Sequence, residues 1–336
     1  MKNVLLITDP NEDTDDLVSL IFASALIKIN KINLLGIVAT VGDKNIRQKR
    51  AMYAKGIMNI LKTDVPVCVG CDYAIDLNTR KLQDDIFLDS KYLDKILLKG
   101  ADIVSNTQQF MTKTLEQAQD NSVTIVDIAG MTDLSVLIKE NRALFNKKVK
   151  DVYLMSNFDQ TKSKTGYLPD FNAHNNQIDT QAASFVYEYL QKSNMQTFVV
   201  NSKNTKKVPV SMKYYEDIKV IDSMISKHAY EIQKEGLKRH YDNILVGKAQ
   251  EKYTIEWFYK TYTTYKEFAP KPFDEVWKHV NRLYLYDPLT LLACIDEYRE
   301  NYFECHKFGN LQLCGPKNLD AIYRIFNDLP KIAINF

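Results

Sequence analysis

The sequence predicts an α/β fold, a mainly parallel central sheet with helices on both faces. Two observations carry that expectation. Short β-rich runs alternate with longer helical patterns through the first two thirds of the chain, and the runs are continuously apolar, as strands covered on both faces are. After Val200 the pattern changes to a polar, basic loop and then to helical stretches rich in Tyr, Trp and Lys.

Taken in order, "VLLI" reads as the first strand, followed by a helix over 16–29. "INLLGIVATV" and a helix over 45–61 come next, then "VPVCVG" and a helix through "FMTKTLEQAQ". "VTIVDIA", a helix over 134–140, "DVYLMS", a helix over 180–191 and "TFVV" complete the alternation. "DPLTLLACIDEY" reads as an apolar helix, because proline suits the first helical turn, and "IAINF" as a last strand. The preferred division is one domain over 1–336 with a helical insertion or cap at 201–285. The polar stretches 76–102 and 159–169 read as loops.

With 336 residues and 45% apolar content the chain can bury a large core. Lysine plus arginine number 44 against 42 aspartates and glutamates, and a net charge of +2 gives no field that draws nucleic acid or membrane. A small-molecule partner is expected. The opening "MKNVLLITDP" holds too short an apolar run for a signal peptide, no stretch stays apolar across a bilayer's thickness, and a cytoplasmic location is expected. Five scattered cysteines do not suggest a disulfide framework; Cys68 and Cys71 form a C-x-x-C that reads as two packed thiols rather than a zinc or redox site.

The informative stretch is "ITDPNEDTDD", which places Asp9, Glu12, Asp13, Asp15 and Asp16 in one turn behind the first strand. Helix capping accounts for one or two of these acids, hardly for five. Five carboxylates repel one another unless a cation or helix N-terminal amides compensate them. Oxygen-only ligands point to a hard cation, calcium or magnesium. An EF-hand loop fails at Thr14, where glycine is needed, and at Leu20, where the closing glutamate belongs. The D-x-D pattern of aspartyl phosphotransferases fails at Asn11.

These residues resemble the opening D-x-D-P-G-x-D-D-A of the inosine-uridine-preferring nucleoside hydrolases, with Asp9, Pro10, Asp15, Asp16 and Leu17 in matching places. The spacing is two residues longer and Ile7 replaces the first aspartate, as in a divergent branch. "LLGIVATVGDKNIRQKRAMYAKGIM", "DVPVCVGCD", "VTIVDIAGMTDLSVLI", "PDFNAHNNQIDTQAA" and "YDPLTLLACID" follow in the family's order. The resemblance implies a nucleoside hydrolase-like, Rossmann-like fold and calcium-dependent hydrolysis of a ribonucleoside's N-glycosidic bond, releasing base and ribose. It implies calcium ligands at Asp9, Asp16, Asp287 and the carbonyl of Ile128, with Asp9 as the base that deprotonates a calcium-held water. Asp15 would hold the 2′-hydroxyl, and Asp170 and Asn172 the 3′- and 5′-hydroxyls. Dimers or tetramers are expected.

Tyr286 stands where many members carry a histidine for the leaving base. With an ordinary pKa of about 10 it is a poor acid at neutral pH, but it can hydrogen-bond or stack. Trp257, Tyr262, Trp277 and Tyr284 form a pool of aromatics in the region of the base pocket. The basic stretches "KNIRQKR" and "KNTKK" read as solvated surface. Alternative functions are a hydrolase of another N-riboside, of nucleotide or nicotinamide type, or a non-catalytic ribose- or nucleoside-binding relative.

Overall fold

Val4, Leu5, Leu6 and Ile7 are wholly buried because the strand they form is covered by helices on both faces, which is why the run reads as unbroken apolar sequence. The computed structural model describes residues 1–11, 13–78, 87–221 and 223–335. Its strands are β1 (Lys2–Thr8), β2 (Ile32–Ala39), β3 (Val67–Val69), β4 (Val123–Asp127), β5 (Val149–Met155), β6 (Gln196–Val200), β7 (Phe303–Phe308) and β8 (Leu311–Pro316). They form one eight-stranded sheet in the order β3-β2-β1-β4-β5-β6-β8-β7, parallel throughout except for the antiparallel pair β7 and β8.

The strand order runs outward in one direction from β1 through β2 to β3, and in the other from β4 onward. The reversal falls between β1 and β4, and in open parallel sheets the crevice beyond the strand ends at such a point is where ligands bind. Thr8 and Asp127 end those two strands, so the acidic turn and Ile128 flank the crevice.

The helix Asp15–Lys28 lies at the middle of the fold and is buried from Asp15 through Leu26. Helix boundaries in the βα region fall within two residues of those expected, as frayed ends allow. Residues 201–285 fold mainly as helices, among them Met212–Val220, Met224–Leu245 and Ile255–Tyr262. The stretch 159–169 is an irregular loop with a bridge between Ser163 and Gly166. In the expected loop 76–102, Leu93–Leu98 is helical, while 79–86 lie outside the described residues.

The chain's end departs from expectation. Of the expected strand "IAINF", residues 332–335 instead close the helix Leu319–Asn335, whose Ile322, Phe326, Leu329 and Ala333 are buried at spacings of three and four, and Phe336 lies outside the described residues. That periodicity is helical, and five residues at the terminus were too few to show it. The sheet ends instead in the β7–β8 hairpin, which turns at Gly309 with φ of +64°, a conformation glycine adopts without strain. Cys305 and Cys314 face each other across this pair and form a disulfide, a single bridge that their scattered positions in sequence did not announce. Cys68, Cys71 and Cys294 are free and buried.

Candidate active site

Asp9 emerges from β1 and is only 6% exposed. The turn after it is shaped by Asn11, fully buried at φ of +77°, whose side-chain amide donates to the carbonyl of Leu88 at 2.9 Å. Arg50, on the helix Lys44–Ile60, donates to the carbonyls of Asp9 and Pro10, the latter at 3.0 Å. Arg47 on the same helix donates to the carbonyls of Gly42 and Gly70 and pairs with Asp72. Two arginines of "KNIRQKR" are therefore buried braces rather than solvated charge, because their guanidinium groups satisfy loop carbonyls that water cannot reach.

Asp16 Oδ1 accepts the Thr8 hydroxyl and the Asp9 backbone N–H, the latter at 3.1 Å. Asp15 Oδ2 accepts the N–H groups of Tyr286 at 3.1 Å and Asp287 at 3.4 Å, the donors left open at the start of the helix Tyr286–Ala293. Two helix N-termini thus converge on the acids, which their dipoles favour. Even so, burial pushes the carboxyls of Asp15, Asp16 and Asp287 well above the usual range, and mutual repulsion adds to it. Asp287 feels Asp15, Asp16, Asp13 and Asp9, so the structure brings the chain's two ends together in one electrostatic cluster.

Ile128 follows β4, its N–H donating to the carbonyl of Ile7 at 3.0 Å. Its own carbonyl accepts the side-chain amide of Asn175 at 3.3 Å. Beside the acids lies a cavity of about 270 Å³ between the turn and the helical segment, lined by Asp13, Asp15, His240, Tyr262, Tyr284 and Tyr286 among others. Thr14 fastens its two walls, donating to Gln233 and sharing a 3.0 Å hydrogen bond with Tyr215.

The sequence matches the family described as inosine-uridine preferring nucleoside hydrolase over residues 4–317. The chain belongs to that family. Solved structures agree. The type III effector protein XopQ, complexed with adenosine diphosphate ribose, superposes with a TM-score of 0.85 at 27% identity, covering 99% of this chain and 94% of its own. The purine-preferring ribonucleoside hydrolase from Gardnerella vaginalis gives 0.67 at 13% identity, and the inosine-uridine preferring nucleoside hydrolase from Bacillus anthracis 0.61 at 16%, each with both chains fully covered. At 13% and 16% the likeness is one of fold. No curated protein matches the chain.

Nucleoside hydrolases act on N-glycosyl bonds, and the expected site residues can be placed against that chemistry. Asp9, Asp15, Asp16 and Asp287 gather at the switch point, as does Ile128. Asp170 and Asn172 share a turn: Asp170 accepts Asn157 at 2.8 Å and both nitrogens of Asn172 at 2.9 Å, while Asn172 is exposed. Burial raises the Asp170 carboxyl, but these hydrogen bonds outweigh it and hold the group below its ordinary value. Asn175, three residues on, is the asparagine that reaches Ile128, bonding the Met155 carbonyl at 2.9 Å as well.

Asp13 was also without a role in the sequence. One carboxylate oxygen each from Asp13, Asp15 and Asp16 lie within 4.8 Å of one another, an arrangement able to hold a metal. Glu12 lies outside the described residues. Asp127 is a further buried carboxyl, raised by burial, with one oxygen accepting the Ala129 N–H at 3.1 Å and the other without a hydrogen bond. Tyr286 is a neutral phenol whose pKa burial lifts still higher, its ring 6.0 Å from that of Tyr284.

A hard divalent cation suits these groups. The turn after β1 brings several carboxylate oxygens within reach of one ion, and the raised carboxyls call for compensating positive charge. The donors are oxygens throughout, the chemistry of calcium or magnesium rather than zinc. Among the described residues no helix is long and apolar enough to cross a membrane.

Proposed function

We propose that this protein hydrolyses the N-glycosidic bond of a ribonucleoside, with calcium held by the side chains of Asp9, Asp16 and Asp287 and the carbonyl of Ile128. The observation that carries the reading is the convergence of Asp15, Asp16 and Asp287, buried and mutually repelling, at the sheet's switch point in a nucleoside hydrolase fold. Calcium, when bound there, supplies the missing positive charge and lowers the pKa of water in contact with it.

The chain's own groups do the rest. The Asp9 carboxylate takes the proton of the attacking water. Asp15 is locked by the Tyr286 and Asp287 amides through Oδ2, which leaves Oδ1 to accept a ribose 2′-hydroxyl and to stabilise positive charge developing on the sugar. Asp170, with Asn172 bonded to it, is proposed to meet the far side of the ribose. Tyr286 stacks against the departing base, and residues 201–285 act as a cap within a single domain.

A panel of nucleosides, incubated with calcium and assayed for reducing sugar, tests the proposal. Absence of ribose release from every nucleoside and phosphorylated riboside would refute hydrolysis. A second reading, a binder of an ADP-ribose-type ligand, is supported by the 27% identity to a protein whose structure contains that ligand. Calorimetric titration with ADP-ribose, followed by product analysis, separates the two: uptake without turnover supports the binder.

A further inference from the structure

His240 sits within an aromatic collar of the helical segment. Tyr253, Trp257 and Tyr262 meet it edge to face, with centroids at 5.4, 5.6 and 6.4 Å and interplanar angles of 75°, 80° and 84°. Its Nε2 is sealed from solvent and has no hydrogen-bond partner. The ring lines the cavity beside Asp15 and Tyr286, and with Nε2 sealed, Nδ1 is the ring nitrogen left to reach a ligand there. Burial lowers its pKa, which keeps the imidazole neutral.

A neutral imidazole carries one proton, and its location follows from the surroundings. An N–H enclosed by rings is attracted to π density, whereas a lone pair is repelled by it. Assigning the proton to Nε2, within the aromatic collar, leaves Nδ1 as an acceptor for a ligand. Tyr262, Tyr284 and Tyr286 supply flat apolar walls on which a heterocycle can stack.

We propose that His240 is a specificity-determining residue, whose Nδ1 accepts a hydrogen bond from an exocyclic amino group of a base seated between Tyr286 and the aromatic collar. The ligand class is a riboside with an amino-bearing heterocycle, of adenine or cytosine type. This rests on the riboside reading of the acidic site, since Asp15 fixes the sugar at one end of the cavity and His240 reads the base at the other. A site built to accept such a bond discriminates against an analogue lacking the donor, because its buried acceptor is then left unsatisfied.

The test compares adenosine with purine riboside, which differs in having hydrogen in place of the amino group. Dissociation constants by calorimetry, or kcat/KM where turnover occurs, are measured on the calcium-loaded protein and on His240→Phe, which keeps the ring volume. The native protein is expected to prefer adenosine by ~10-fold, and the variant to treat the two alike. Equal affinity in the native protein, or a preference that survives His240→Phe, would overturn the proposal while leaving the riboside reading intact. If the native protein takes neither compound but does take ribosides whose base lacks an amino group, the proposal alone is overturned; if it takes no riboside at all, both are. Should the phenylalanine variant not fold, His240→Gln restores an acceptor and is expected to keep part of the preference; its complete loss there would also count against the inference.

Discussion

The carboxylate of Asp15 accepts the backbone N–H of Tyr286 at 3.1 Å across 271 residues of sequence. One side chain thereby joins the first turns of two helices, Asp15–Lys28 and Tyr286–Ala293, and leaves its second oxygen buried without a partner. Asp15→Asn keeps an oxygen for the two amides but puts an NH2 where the ribose hydroxyl should donate. Loss of kcat/KM by ~10²-fold is expected, a scale typical of removing one transition-state contact. The calcium-free variant should also melt higher than the native protein, since one repelling charge is gone. A variant with native kcat/KM would show that Asp15 does not touch the substrate.

The raised carboxyls of Asp15, Asp16 and Asp287 set a sign for pH dependence. A folded pKa above the unfolded value of about 3.9 means that the folded state binds protons more tightly, so metal-free stability falls as pH rises from about 4 toward those raised values. His228 acts oppositely: burial depresses it to about 4, so stability is lost as pH falls from about 6.5. Melting curves in chelator and in calcium, recorded at matched pH, cancel the His228 contribution in their difference. Stabilisation by calcium should grow as pH rises from 4. A pH-independent difference would contradict metal binding by these carboxylates.

Arg50 carries a prediction that the sequence alone pointed away from. Its guanidinium holds two adjacent carbonyls of the acidic turn from a position 1% exposed. Lysine lacks the fork needed to hold both. Arg50→Lys is expected to cost about 2–3 kcal/mol in urea denaturation and to weaken calcium binding measured by titration, because Asp9 is carried on the released turn. An unchanged denaturation midpoint and calcium affinity would remove Arg50 from this role.

The parts legible in sequence were those with local signatures. Unbroken apolar runs announced buried strands, and five acids in one turn announced a polar site. Arg47 and Arg50 were misread because burial of a charge depends on distant carbonyls, and a basic helix stripe looks the same whether it faces water or loops. Asn172 and Asn175 look alike in an asparagine-rich turn, and only the approach of β4 to β5 shows which of them reaches Ile128. His240 left no signal: its collar is assembled from Tyr253, Trp257 and Tyr262, which in sequence are indistinguishable from ordinary helix core.

The Cys305–Cys314 bridge closes a short hairpin at the sheet's edge, with a sequence separation of 9. By the loop-closure relation such a bridge stabilises by about 2–3 kcal/mol. A double replacement by serine is therefore expected to lower the denaturation free energy by that amount. Nucleoside binding should be unaffected, since β7 is the outermost strand and lies far from the β1–β4 switch point in the strand order. A change in affinity for ribosides would show that the hairpin reaches the site.

In the proposed reaction Tyr286 governs how the base departs. Its ring lies 6.0 Å from that of Tyr284, and burial raises its pKa, so the hydroxyl is a poor proton donor and the ring is the useful part. Tyr286→Phe should then leave kcat within about threefold of native, whereas a general acid would lose ~10²-fold or more on deletion. Tyr286→Ala removes the stacking face and should raise KM by ~10-fold. Tyr286→His restores the residue many family members carry there and is expected to raise kcat, most at the acidic end of the pH profile, where the imidazole is protonated. A large loss in Tyr286→Phe, with no gain in Tyr286→His, would make the phenolic hydroxyl the acid and overturn the stacking role.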